Sequence, residues 1–115
     1  MEYFAGLDVS VKTTAICVVD STGSAVLETS VATEPEAIRC ALEGYADRLR
    51  RGGHEAGALS PWLYRGLERL GLKMVLLETP HVHAALKAQR NKTDKNDAFW
   101  VAQLVRSGWY RDVHV

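Results

Sequence analysis

Four carboxylates stand where the oxygen ligands of a hard divalent cation would be needed. They are Asp8, closing an apolar run, then Glu55, then Asp94 and Asp97 at the opening of a helical pattern. Carboxylate oxygens hold Mg²⁺, and two such ions clamp the attacking and leaving oxygens of a phosphodiester during in-line displacement. Asp94 and Asp97 share one helix face. That face continues through Ala98, Val101, Leu104 and Val105, so it is directed at a core. Each acid also has a plainer reading. Asp8 suits a strand-end aspartate bonded to turn amides or paired with Lys12, and acids in a first helical turn are favoured by capping and the macrodipole. Glu55, among Gly53, His54, Ala56 and Gly57, suits a surface glutamate, and Glu78 competes for its role.

Other residue types give weaker signals. Lys87, Arg90, Lys92 and Lys95 surround the loop before the acidic helix, either as a solvated basic loop or as a rim that steers phosphate. His81 and His83 are spaced like metal ligands, but with no cysteine or third histidine nearby they do not make a zinc site. Trp62 is expected in the core. Of Phe99 and Trp100, one is expected to pack inward and the other to face outward, toward a partner.

The elements that must position these residues are legible in part. Tyr3 to Val9 is apolar apart from Asp8 and reads as a strand covered on both faces, hence central. Thr13–Asp20 is rich in strand formers, Ser21 to Ser24 supplies a turn, and Ala25–Val31 pairs back, giving a three-stranded antiparallel meander. Helical spacing of Ile38, Ala41, Leu42, Tyr45 and Leu49 predicts a helix from Pro35 to Arg50, stopped by Gly52 and Gly53. Ser60-Pro61 opens a second helix with Leu63, Leu67 and Leu70 inward and Gly71 at its end. Lys73–Leu77 is a buried strand. Thr79-Pro80 opens a short helix to about Ala88, and Thr93 starts the last helix, which Gly108 ends after Ser107. Trp109 to Val115 begins another strand. No apolar run precedes Glu55 to make a convincing strand there. The order is that of a mixed α/β sheet.

The 115 residues, 47% hydrophobic and 24% charged, suit one globular domain of residues 1–115, without repeat, linker, signal peptide or membrane span. We read the chain as cytoplasmic, with Cys17 and Cys40 as free thiols. Net charge is zero, which argues against a generic nucleic-acid binder. The charge is nevertheless uneven: through Ile38 one basic residue faces six acids, and from Arg39 onward 13 basic residues face eight. The second part is compatible with phosphate contact.

At this point a family resemblance is visible. Phe4-Ala5-Gly6-Leu7-Asp8-Val9-Ser10, His54-Glu55-Ala56-Gly57, Ser60-Pro61-Trp62-Leu63-Tyr64 and the block Lys87 to Ala98, with its Asn-Lys-Thr-Asp-Lys-Asn-Asp-Ala core, carry it, followed by Ala-Gln-Leu-Val-Arg. Together they resemble the amino-terminal domain of the DEDD insertion-sequence transposases, which is similar to RuvC-type Holliday-junction resolvases. The resemblance implies a ribonuclease H-like fold with Asp8, Glu55, Asp94 and Asp97 as acidic ligands of one or two Mg²⁺, Mn²⁺ being a possible substitute. It implies DNA recombination directed by a guide RNA, homo-oligomers, and a carboxy-terminal domain that supplies an attacking serine. That domain is not in this sequence, so the chain alone is expected to be weak or inactive in strand transfer. Two departures stand out: Arg50-Arg51-Gly52-Gly53-His54 precedes the glutamate where the family has an apolar strand, and Phe99-Trp100 replaces the usual Arg-Gly.

Two rival readings remain at this level. An actin-like or sugar-kinase ATPase also opens with a strand ending in Asp, but would want glycine and threonine where this chain has Val9 and Ser10. A degenerate RNA-binding or dimerisation module would fit the altered Glu55 region and the Phe99-Trp100 pair.

Overall fold

The computed structural model describes residues 2–78 and 97–108, together with Tyr110 and Val113. Its strands are β1 (Tyr3–Val9), β2 (Thr13–Asp20), β3 (Ala25–Ala32), β4 (Leu49–Glu55) and β5 (Met74–Leu77). Its helices are α1 (Pro35–Ala41), a 3-10 turn (Ala46–Arg48), α2 (Ser60–Arg69) and α3 (Asp97–Ser107). The strands form one sheet in the order β3-β2-β1-β4-β5. β1, β2 and β3 are antiparallel neighbours, and β4 runs parallel to both β1 and β5. The expected α/β ribonuclease H-like mixed sheet is thus present, with β1 at its centre.

Period-two alternation sorts β1 between two cores. Ala5 and Leu7 face one side, where Ile16, Val18, Ile38, Leu42, Leu63 and Leu67 complete a cluster between the sheet and α1 and α2. Phe4 faces the other side and joins Cys17, Val19, Leu77 and the α3 residues Ala98, Val101, Ala102 and Val105. Gly6 lies on this second face. A Cβ there would stand 2.9 Å from Ala102 Cα and still closer to the Ala98 carbonyl oxygen and the Ala102 nitrogen. Only glycine lets α3 approach β1 so closely.

Three expectations need correction. The helix expected over 35–50 stops at Ala41, and the chain turns through a 3-10 segment so that Leu49 opens β4 instead. Tyr45 and Leu49 fit a helical period by coincidence: Leu49 pairs beside Tyr3 in the sheet, and Tyr45 meets the Tyr3 ring edge-on at 4.9 Å. Gly52 and Gly53 are therefore mid-strand residues rather than a helix stop. β4 exists despite its sequence because Gly53 takes the methyl of Val105 where a Cβ would sit, 2.6 Å away, and Gly52 likewise takes Met74 Sδ, 2.9 Å away. Trp62 is 50% exposed rather than in the core, since Leu63 and Leu67 occupy the inward face of α2.

The remaining boundaries agree closely. Gly71 and Gly108 end their helices with φ of 87° and 75°. The final segment returns to the sheet: Val113 N donates to Leu76 O at 2.8 Å, and Tyr110 Oη accepts from Arg51 Nη1 at 2.7 Å. The helix expected over 79–88, Asp94, the start of the last helix before Asp97, the basic loop Lys87, Arg90, Lys92 and Lys95, and His81 and His83 lie outside the described residues.

Candidate active site

The C-terminal ends of β1 and β4 and the first residue of α3 open onto one cleft of about 640 Å³. Asp8, Glu55 and Asp97 all line it, together with Ser10, Val11, His54, Gly57, Leu59, Ser60 and Val101. The convergence follows from the strands. Gly6 and Asp8 alternate on the α3 face of β1. Gly53 and Glu55 do the same on β4, where Gly53 takes the Val105 side chain of α3. Asp97 opens the helix that packs on both glycines.

The turns that follow Asp8 and Glu55 are held by hydrogen bonds. The turn after Asp8 is closed by Ser10 N and Ser10 Oγ, which donate to Thr13 O at 3.0 and 2.7 Å. Thr33 Oγ1 donates to Ser10 O at 2.6 Å and meets the buried Thr14 hydroxyl at 2.8 Å. After Glu55, Ala56 N donates to Leu77 O at 3.0 Å. Gly57 N donates to Ser60 Oγ at 2.9 Å, and Ser60 Oγ donates back to Gly57 O at 2.6 Å. These bonds hold the loop between Glu55 and α2 in a compact turn.

Asp8 is the electrostatic focus. Its side chain is exposed on the cleft wall, yet the surrounding protein removes enough water to push its carboxyl above the usual aspartate range. The charges of Asp97 and then Glu55 push it further in the same direction. No described Lys or Arg lines the cleft, and Lys12 does not pair with Asp8 among the described residues. The alternative of an aspartate tied to turn amides is not what the structure shows, since Ser10 serves the Thr13 carbonyl instead. Among the described residues, no three acids already stand in the tight cluster of a loaded metal centre. The carboxylates that line the cleft are nevertheless an all-oxygen, anionic donor set, which is chemistry that fits Mg²⁺ or Mn²⁺. Glu78 follows β5 and does not line the cleft, so Glu55 is the glutamate that the fold brings to Asp8.

One cleft residue was given no role in the sequence reading. His54 is 1% exposed, and neither ring nitrogen has a hydrogen-bond partner. Burial lowers its pKa to about 4, so the ring is neutral at physiological pH. Its signal in the sequence was only its place beside Glu55. Phe99 packs against the second core, as one of the two rings was expected to, but Trp100 does not face outward. Both are half-buried and meet edge to face at 4.9 Å.

With the geometry described, the likenesses to known proteins can be stated. Thermus thermophilus RuvC, solved with a Holliday junction substrate, superposes with a TM-score of 0.60 at 13% identity, over 98% of this chain and 100% of RuvC. The fowlpox virus resolvase, solved with Holliday junction DNA, gives 0.52 at 9% identity, over 93% of this chain and 95% of that one. A glucokinase of the ROK family from Streptomyces griseus gives 0.51 at 23% identity, over 72% of this chain but 35% of that one. At such identities these likenesses speak to the fold alone. No curated protein sequence matches significantly. The family profile of IS110-type DEDD transposases, described as transposase, matches residues 5–115, and the chain therefore belongs to the DEDD transposase family as its RuvC-like domain.

Proposed function

We propose that this transposase domain holds one or two divalent cations, Mg²⁺ with Mn²⁺ as substitute, among Asp8, Glu55, Asp97 and Asp94, and works there on a DNA phosphodiester. The observation that carries this reading is the shared cleft, in which burial and the charges of Asp97 and Glu55 together hold the Asp8 carboxyl above its ordinary range. Cations bound there supply Lewis-acid stabilisation of the attacking and leaving oxygens. Asp8, central in the sheet, is the fixed ligand, while Glu55 and Asp97 close on it from β4 and α3. Lys87, Arg90, Lys92 and Lys95 hold the DNA backbone beside the carboxylates. A serine from a separate domain is the attacking group, a guide RNA chooses the target, and the active form is a homo-oligomer.

The direct test is a titration with Mn²⁺ followed by electron paramagnetic resonance, comparing the native chain with Asp8→Asn and Asp97→Asn. Saturable binding lost in both variants is expected, and excision by the complete transposase should disappear with it. Equal binding by all three proteins would refute the assignment. The glucokinase likeness leaves an ATPase as the second reading. It predicts stabilisation by ATP that Asp97→Asn leaves intact. An RNA-binding module without metal chemistry predicts RNA affinity indifferent to a chelator.

A further inference from the structure

The Ala102-Gln103-Leu104-Val105-Arg106 block helped to identify the family, yet Gln103 and Arg106 touch neither the cleft nor the core clusters. Their side chains bind something else. Gln103 Nε2 donates to the Gly23 carbonyl at 2.6 Å, across 80 residues of chain. Its Oε1 accepts from Arg106 Nε at 2.9 Å, and Arg106 Nη1 reaches the Ser21 carbonyl at 3.5 Å. Both ends of the Gln103 amide are thus used, one toward the β2–β3 turn and one toward its helical neighbour.

The turn they grip is itself rigid. Asp20 Oδ1 accepts from Thr22 Oγ1 at 2.6 Å, Thr22 N at 2.9 Å and Ser24 N at 3.0 Å. Gly23 N donates to Asp20 O at 2.9 Å, and Gly23 takes a φ of 89°. A Cβ on Gly23 would lie 3.1 Å from both Arg106 Nε and Gln103 Oε1, so the turn and the two side chains are closely fitted.

α3 rests on Gly6 through Ala98 and Ala102 and on Gly53 through Val105. These apolar contacts set how near the helix comes, and the polar clasp adds a directional constraint on its roll. Asp97 lies about 9 Å along the axis from Gln103, and a carboxylate rides at about 5–6 Å from the axis. A roll of about 10° would carry it about 1 Å, beyond the ~0.5 Å within which a working site must be held.

We propose that Gln103 and Arg106 are positioning residues: their clasp on the Ser21–Gly23 turn fixes the roll of α3 and so aims Asp97 at Asp8 and Glu55. The inference rests on the carboxylate reading above. Its test is Mn²⁺ affinity measured by calorimetry on folded protein, with Gln103→Met, Arg106→Met and Asp8→Asn beside the native chain. Gln103→Met keeps the length of the side chain and removes both hydrogen bonds, and should weaken Mn²⁺ binding by roughly 10-fold or more. Arg106→Met, which leaves the Gly23 bond in place, should weaken it less. Circular dichroism and melting temperature separate this effect from unfolding, because a purely stabilising clasp would lower the melting temperature and leave the affinity unchanged. Native affinity in both folded variants overturns the clasp alone. Equal affinity in the native chain and Asp8→Asn overturns the carboxylate reading, and the clasp with it. Should Gln103→Met not fold, Arg106→Met decides by the same affinity comparison.

Discussion

Gly6→Ala should disable the metal site while leaving the sheet intact. The new Cβ would meet Ala102 Cα at 2.9 Å, with the Ala98 carbonyl oxygen and the Ala102 nitrogen nearer still. These are backbone atoms, so no change of rotamer relieves the overlap. Ordinary contact starts at 3.4 Å, so α3 must withdraw from β1 by at least about 0.5 Å. Ligand distances in a metal site tolerate about ±0.2 Å. Asp97 would thus leave the reach of a cation held by Asp8, although overpacking of this kind costs only about 1–3 kcal/mol of stability. The assay is a melting curve together with a Mn²⁺ titration well below the melting temperature. Gly53→Ala is the matched control. Its Cβ would meet the Cγ2 methyls of Val105 at 2.6 Å and of Val75 at 3.2 Å, and these side chains have freedom to turn aside. The expected order of Mn²⁺ affinity is native, then Gly53→Ala, then Gly6→Ala. A folded Gly6→Ala protein with native Mn²⁺ affinity would refute the argument that close approach of α3 assembles the site.

Further expectations concern charge and burial. Because Asp8 is held above its ordinary pKa by burial, Asp97 and Glu55, the metal-free fold is penalised as pH rises through that raised value. Asp8→Asn should therefore raise the melting temperature of the metal-free chain at pH 7 and abolish the further rise that Mn²⁺ gives the native protein. His54 acts in the opposite sense. Its pKa falls from 6.5 to about 4, so the unfolded chain takes up a proton that the folded chain refuses. Stability should drop by about 3 kcal/mol as pH falls from 6.5 to 4, and urea melts of His54→Leu should lose that slope. The same variant should be more stable at pH 7, because it removes two buried nitrogens without partners. Among the thiols, Cys40 is exposed, whereas burial raises buried Cys17 to about 12. A thiol reagent at pH 8 should titrate one cysteine in the native chain and both in denaturant.

How far the sequence was readable depended on where each element's stability comes from. β1, β2 and β3 were legible because apolar alternation and the turn at Ser21–Gly23 are local, and β1 was recognisably central because both its faces are apolar. β4 was not. Leu49-Arg50-Arg51-Gly52-Gly53-His54-Glu55 has poor strand propensity, and it is a strand only because β1 and β5 supply hydrogen-bond ladders on both sides. The same blindness stretched the first helix, since nothing local distinguishes Tyr45 and Leu49 on a helix face from the same residues packed under a sheet. Asp97 was legible as an inward acid from helical periodicity, and Asp8 stood out as the one charge in an otherwise apolar strand. Glu55 was not, because its direction depends on β4. The two glycines that read as a break are what make that direction useful. Gly53 admits Val105 as Gly6 admits Ala98 and Ala102, so one helix lies close against two neighbouring parallel strands. Residues two further along each strand, Asp8 and Glu55, must then emerge on the same face and at the same end as the first residue of that helix. Close packing through missing side chains is therefore the physical cause of the acidic cleft, and the residues with the least chemistry determine where the chemistry is.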